Sequence, residues 1–336
     1  MSKLFDDTGP LPIGQVGPRK KGPKPEPELA MPVHEAPQAS PVQQKAPEAA
    51  PIRQEPARSS RAATHTGESV VSGKGRIASR VLCVVNRKGG VGKTTTTFNL
   101  AGTLAQLNKR VLVIDLDPMG SLCRSLGIYP DKLTLSDVLI GTGGNLAELI
   151  RPTRLPNFYV VPGDPNLRTF EMRHGTSVVY REALASQLTG LLRSKPFDFV
   201  FIDCPPSLGL LSGNAMTAAT EAIVPVDGST YGMGALMDTL GIIRLVRKNV
   251  NGKLAIAGLL LNNVNLGTVY DRTVLEVFKH RLRSAMFKSV IPSSPEADES
   301  SQLGEPVVRY APDSWMSKAY LQLAKEVLSR EPSYAG

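Results

Sequence analysis

Residues 81–108 constrain the fold more than any other stretch. Val81-Leu82-Cys83-Val84-Val85 is an all-apolar run, as expected of a strand buried on both faces of a parallel sheet. A glycine-rich turn follows, and Thr94 to Asn108 then carries Leu100, Leu104 and Leu107 on one helical face. The turn reads Arg87-Lys88-Gly89-Gly90-Val91-Gly92-Lys93-Thr94. It is a modified G-x-x-x-x-G-K-T, with Arg87 where the first glycine usually stands and a lysine, Lys88, next to it. Successive backbone N–H groups at such a helix start cradle a triphosphate. Lys93 is then expected to reach the terminal phosphates, Thr94 to ligate Mg²⁺ and Thr95 to donate to the α-phosphate. Glycine is needed there because side chains would block the close approach of backbone to phosphate.

Short apolar runs recur downstream: Val111 to Ile114, Phe158 to Val161, Phe199 to Ile202, Ala222 to Val224 and Leu259 to Leu261. Helical stretches fall between or after them, at Val178 to Arg193, Gly234 to Lys248, Arg272 to Arg283 and Ser317 to Arg330. Strands alternating with helices predict an α/β fold: a doubly wound, mostly parallel sheet with helices on both faces. Ligands of such sheets sit at the carboxyl ends of the strands. Two carboxylate sites end apolar runs, Asp115-Leu116-Asp117-Pro118 and Asp203-Cys204-Pro205-Pro206. An aspartate placed so beside a phosphate loop is suited to hold Mg²⁺, usually through water, and a second carboxylate can orient an attacking water.

The start of the chain has a different texture. Of 27 prolines, 12 fall in the first 80 residues, with a single aromatic, Phe5. Such a segment cannot bury enough apolar surface to offset its ordering entropy, so residues 1–79 are expected to be a disordered, Pro-rich, basic extension and residues 80–332 the globular domain. The net charge of +9 makes a polyanion partner plausible. Cys83, Cys123 and Cys204 are odd in number and far apart, which argues against a disulfide scaffold or zinc module and fits a reducing cytoplasm. No apolar run approaches the length of a membrane span, so integral membrane association is not expected.

Asn86 to Thr96 resembles the deviant Walker A motif of ParA-type partition ATPases. Val111 to Gly120 resembles their second motif, and Phe197 to Asn214, with Ile-Asp-Cys-Pro-Pro-Ser-Leu-Gly-Leu-Leu, resembles their Walker B segment. The segment from Ile291-Pro292 through Glu326 looks like their C-terminal portion. The resemblance covers about residues 80–330 and implies a P-loop NTPase with ATP and Mg²⁺ as ligands. Residues 88–95 would then bind nucleotide, with Lys88 reaching the phosphates of a partner protomer in an ATP-sandwich homodimer. Lys93 and Thr94 would serve phosphate and Mg²⁺, with Asp115 and Asp203 supporting the metal. Asp117 would position the hydrolytic water, and Asn262 and Pro292 would lie at the adenine.

The resemblance also implies weak hydrolysis stimulated by a ParB-like centromere-binding protein, non-specific DNA binding by the ATP form, and a cytoplasmic, nucleoid-associated location. Candidate phosphate contacts are Arg244, Arg247, Lys248, Arg272, Lys279, Arg281, Arg283 and Lys288, since cations spread over one face give salt-sensitive binding. The chain departs from its relatives at Pro292-Ser293-Ser294-Pro295-Glu296, where they commonly carry DNA-binding arginines. Two alternatives follow: a related positioning ATPase with a non-DNA cargo, and a MinD-like membrane-positioning ATPase. The latter needs a basic amphipathic helix at its end, whereas Tyr320, Leu323, Ala324 and Val327 are better read as a core-packing stripe.

Overall fold

The computed structural model describes residues 79–229, 232–265, 276, 282 and 285–330. The strands are β1 (Arg80–Val84), β2 (Val111–Asp115), β3 (Arg151–Pro152), β4 (Phe158–Val161), β5 (Phe199–Asp203), β6 (Glu221–Val226), β7 (Ala255–Val264) and β8 (Met286–Pro292). They form one sheet in the order β3-β4-β2-β5-β1-β6-β7-β8, parallel throughout except for the β3–β4 pair. Each expected apolar run is a strand. β2, β5 and β6 are buried along their whole length, which is why they read as continuous apolar runs rather than alternating ones.

Helices cover both faces. One layer holds α1 (Lys93–Gln106), α2 (Ser121–Ser125), α8 (Glu296–Leu303), α9 (Val307–Tyr310) and α10 (Trp315–Ser329). The other holds α3 (Leu135–Ile140), α4 (Asn166–His174), α5 (Ala183–Ser194), α6 (Leu210–Ala218) and α7 (Gly232–Asn249). On the first face Phe98, Leu100 and Leu104 of α1 pack with Val113, Phe201 and the α10 stripe Tyr320, Leu323, Ala324 and Val327, each of which is fully buried. The stripe is therefore core, not a membrane-facing surface, as the sequence led us to expect. No described helix is long and apolar enough to cross a membrane.

Some expectations shift. The helix read from Val178 begins as a 3₁₀ turn, Val179–Glu182, and becomes α-helical only at Ala183. The expected extension at 1–79 lies outside the described residues but for its last position. The expected helix at 272–283 also lies outside them, except for Glu276 and Leu282.

Polar clamps tie the sheet margins to α10. The Arg80 guanidinium forms a two-pronged contact with the buried Glu221 carboxylate on β6, at 2.6 and 2.8 Å, and also donates to the Val327 carbonyl. At the β8 edge, Glu326 accepts from the backbone N–H groups of Lys288 (2.8 Å) and Ser289 (2.7 Å). Arg330 donates to the Ala257 and Met286 carbonyls and lies over the Phe287 ring, 4.3 Å from its centre. At the opposite edge, β3 is two residues long and one of them is proline.

A candidate nucleotide site at the carboxyl ends of β1, β2 and β5

Strand order brings the candidate residues together. β2, β5 and β1 are neighbours, and their registers pair Asp115 with Asp203 and Asp203 with Val84. Both carboxylates therefore stand beside the turn that leaves β1. That turn leads into α1 at Lys93, with Gly92 as its N-cap. Gly90 and Gly92 take φ of 73° and 81°, a region that favours glycine. A Cβ on Gly92 would also overlap the Asn262 side-chain amide. The turn into α1 thus requires glycine at both positions, for backbone conformation at Gly90 and Gly92 and for room beside Asn262 at Gly92.

Thr94 Oγ1 donates to Asp203 Oδ2 at 2.8 Å, and Thr97 Oγ1 lies 3.1 Å from Asp203 Oδ1. Thr97 was not anticipated; it sits one turn beyond Lys93 on the same face of α1, a spacing that could have revealed it. Asp115 accepts from the backbone N–H groups of Asp117 (3.3 Å) and Cys123 (3.2 Å), and Asp117 accepts from Met119 N (2.9 Å). Lys93 is 6% exposed, and its ammonium donates to the Lys88 carbonyl at 3.1 Å. Burial holds the Lys93 pKa below its ordinary value, although Asp203, Cys204 and Asp117 act the other way. Burial raises the Asp115 and Asp203 carboxyls well above the usual carboxylate range, and Asp203 raises Asp115 further.

This arrangement fits a Mg²⁺–triphosphate complex. A buried lysine and the buried Asp203 carboxylate, which accepts from the half-buried Thr94 hydroxyl, flank a turn whose Gly90 and Gly92 hold positive φ at the head of α1. Asn262 lies within reach of the loop but donates to the Val91 carbonyl at 2.8 Å. Pro292 ends β8, in register with Val264 two residues beyond Asn262. Thr95 lies in the first turn of α1, next to Thr94.

Lys88 does not extend away from its own protomer. Its ammonium pairs with the Asp227 carboxylate and donates to Ser229 Oγ at 2.7 Å. Neither partner was anticipated from sequence. The signal was present, because Asp227 directly follows β6, the strand beside β1, and so obeys the same strand-end rule as Asp115 and Asp203. Asn86 Nδ2 donates to the Pro225 carbonyl at 2.7 Å and holds the same two strand ends together.

The candidate DNA contacts do not join this site. Arg244, Arg247 and Lys248 lie in the second half of α7, which returns from the carboxyl end of β6 toward the start of β7. An 18-residue helix spans about 27 Å, so they stand at the opposite margin of the sheet. Lys288 is exposed on β8. Arg272, Lys279, Arg281 and Arg283 lie outside the described residues.

A family model described as an AAA domain matches residues 79–256. Sporulation initiation inhibitor protein Soj of Bacillus subtilis (strain 168) is 35% identical over 250 residues, 74% of this chain and 98% of that protein. Chromosome partitioning protein ParA of Caulobacter vibrioides (strain NA1000 / CB15N) is 36% identical over 254 residues, 75% of this chain and 95% of that protein. The chain belongs to the ParA/Soj family of P-loop ATPases. A crystal structure of cobyrinic acid a,c-diamide synthase from Mycobacterium smegmatis, with a bound ATP analogue and magnesium, superposes on this ParA-family chain with a TM-score of 0.62. It is 31% identical and covers 75% of this chain and 95% of that one.

Two predictions arise from the site. In the ligand-free protein, the raised Asp115 and Asp203 carboxyls bind protons more tightly than in the unfolded chain. The folded state then holds more protons from the ordinary carboxylate range up through neutrality, so these two groups lower stability as pH rises across that window. Asp115→Asn is expected to unfold at higher urea than the wild type at pH 8 without Mg²⁺, and to lose that advantage at pH 5. Equal midpoints at pH 8 would contradict the assignment. Asp227→Asn removes the charge that holds Lys88. A cross-protomer role for Lys88 predicts that this variant dimerises at about three- to tenfold lower ATP concentration, read by light scattering against ATP.

Proposed function

We propose that this chain is a Mg²⁺-dependent ATPase that closes as a homodimer around two ATP molecules. In that state it binds DNA without sequence preference, and it serves replicon partition with a ParB-like activator. The observation that carries the reading is the cluster of buried Lys93 and Asp203 with Thr94, on a phosphate loop that bears the second lysine, Lys88. Family membership and the relatives' printed roles in chromosome partition support it.

Backbone N–H groups of residues 89–93 bind phosphate oxygens, Lys93 adds a cation to the terminal phosphates, and Thr95 donates to the α-phosphate. Thr94 would hold Mg²⁺, with Asp203 and Asp115 as the supporting carboxylates. When bound, Mg²⁺ would supply charge neutralisation to the terminal phosphates. Asp117 holds the attacking water and takes its proton as oxygen bonds to the γ-phosphorus and the ADP oxygen leaves. Lys88 exchanges Asp227 for the partner protomer's phosphates, which couples dimer formation to ATP. Asn262 and Pro292 flank the adenine. We assign residues 1–79 to a tethering extension and residues 80–332 to the ATPase domain.

One observation favours a second reading, in which the cargo is not DNA. The segment after β8 opens α8 with Glu296, Asp298 and Glu299 in its first turn, an acidic surface that repels phosphate. Co-sedimentation with DNA under ATP, ADP or no nucleotide, at two salt concentrations, separates the two. ATP-dependent, salt-sensitive pelleting supports partition. ATP-driven dimers that leave DNA in the supernatant at both salts support the second reading.

A further inference from the structure

Resting on the ATPase reading, we propose that Gly163 and Glu171, at the two ends of the α4 unit, are positioning residues for hydrolysis. Together they set the separation between the Asp115–Asp117 turn and the loop that follows Asp203.

The geometry begins where β4 ends. The Pro162-Gly163-Asp164 turn runs flush against the backbone of the Asp115–Asp117 turn, since a Cβ on Gly163 would stand 2.6 Å from the Asp115 carbonyl oxygen and 2.8 Å from that of Asp117. Real side chains do not make such contacts, so any residue but glycine pushes the Asp117 turn away. The next residue pins this turn in place. Asp164 is 1% exposed and accepts from Ser136 N (2.9 Å), Ser136 Oγ (2.8 Å) and Asn166 N (3.0 Å), fastening the turn to α3 and to the start of α4.

The far part of α4 meets the other loop. Glu171 Oε1 accepts from the backbone N–H of Leu211, in the first turn of α6, at 3.2 Å. Gly209, the residue before α6, supplies no side-chain cap, and a Cβ there would overlap the Glu171 carboxylate. Glu171 therefore caps α6 from another helix and carries a charge favourable at that end. Residues 204–209 span from Asp203 to this cap, and Pro206 packs beside the phosphate loop, 3.7 Å from where a Cβ on Gly89 would lie. One nine-residue helix, about 13.5 Å long, thus braces both the Asp115–Asp117 turn and the loop after Asp203. Hydrolysis depends on that spacing because a misplacement of about 1 Å can cost on the order of a hundredfold in rate.

Three substitutions in the full chain test this: Gly163→Ala, Glu171→Ala and Glu171→Gln. Single-turnover hydrolysis of MgATP is read beside the affinity for a fluorescent ATP analogue. Gly163→Ala is expected to slow hydrolysis by about 10- to 100-fold, and Glu171→Ala by about tenfold, with analogue affinity within about threefold of wild type. Glu171→Gln keeps an acceptor oxygen and is expected to restore most of the rate. Amide hydrogen exchange reads the positioning without turnover. Faster exchange at residues 115–120 in Gly163→Ala, and at 204–211 in Glu171→Ala, is expected. Wild-type rates with unchanged exchange overturn the proposal, as does a loss of affinity in step with the loss of rate. A wild-type chain that binds MgATP without hydrolysing it, while the variants still show these exchange changes, overturns the ATPase reading and leaves the brace standing.

Discussion

Lys93→Ala is expected to reduce MgATP hydrolysis by more than about a hundredfold and to abolish ATP-dependent dimerisation, read by phosphate release and light scattering. The reason lies in the cost already met in the folded state. Lys93 is nearly buried, and among the described residues its ammonium has only the Lys88 carbonyl as a hydrogen-bond acceptor, so its charge is held in poor solvent. A triphosphate restores what burial removed, and the attraction is strong because water is excluded. Alanine removes the cation without removing a core side chain, so the far-ultraviolet circular dichroism should stay as in the wild type. Substantial hydrolysis by this variant would mean that Lys88 or the backbone alone suffices to bind the γ-phosphate.

Asp117→Ala is expected to separate binding from chemistry. Among the described residues its carboxylate accepts the Met119 N–H alone, and it is less buried than Asp115 or Asp203. Its loss should therefore disturb the fold little. Removal of a group that orients and deprotonates water costs about 10²- to 10⁴-fold in rate. ATP affinity should be retained, so the variant accumulates as a nucleotide-bound dimer, measurable by co-elution of unhydrolysed ATP with protein. Hydrolysis at the wild-type rate would move the water-positioning role to another residue.

Most of the sheet was legible because parallel strands buried on both faces leave continuous apolar runs. Phe199 to Ile202 and Val111 to Ile114 are such runs, and the aspartates that end them were read as a pair from the strand-end rule. β8 was missed as a strand. Lys288 and Ser289 interrupt its apolar pattern, Lys288 because it meets solvent at the sheet edge and Ser289 because it is buried against the Glu326 carboxylate. α4 was also missed, since only Leu167 and Phe170 are buried in its nine residues and periodicity had little to act on. The positions of Lys93, Thr94 and Asp203 followed from local motifs. The pairing of Lys88 with Asp227 spans 139 residues and depends on β6 lying beside β1, which no local pattern states.

The clamp that Glu326 and Arg330 place on β8 also limits how copies of this chain can join. Free strand edges invite other strands to extend the sheet from one molecule to the next. Here the β8 amides of Lys288 and Ser289 are already taken by a carboxylate from α10, and the far edge is a two-residue strand with a proline. Neither margin of the described sheet offers a template for strand addition. Molecules of this chain are therefore steered to associate through helices and loops, which a ligand can open or close, rather than through an open-ended ribbon of backbone hydrogen bonds.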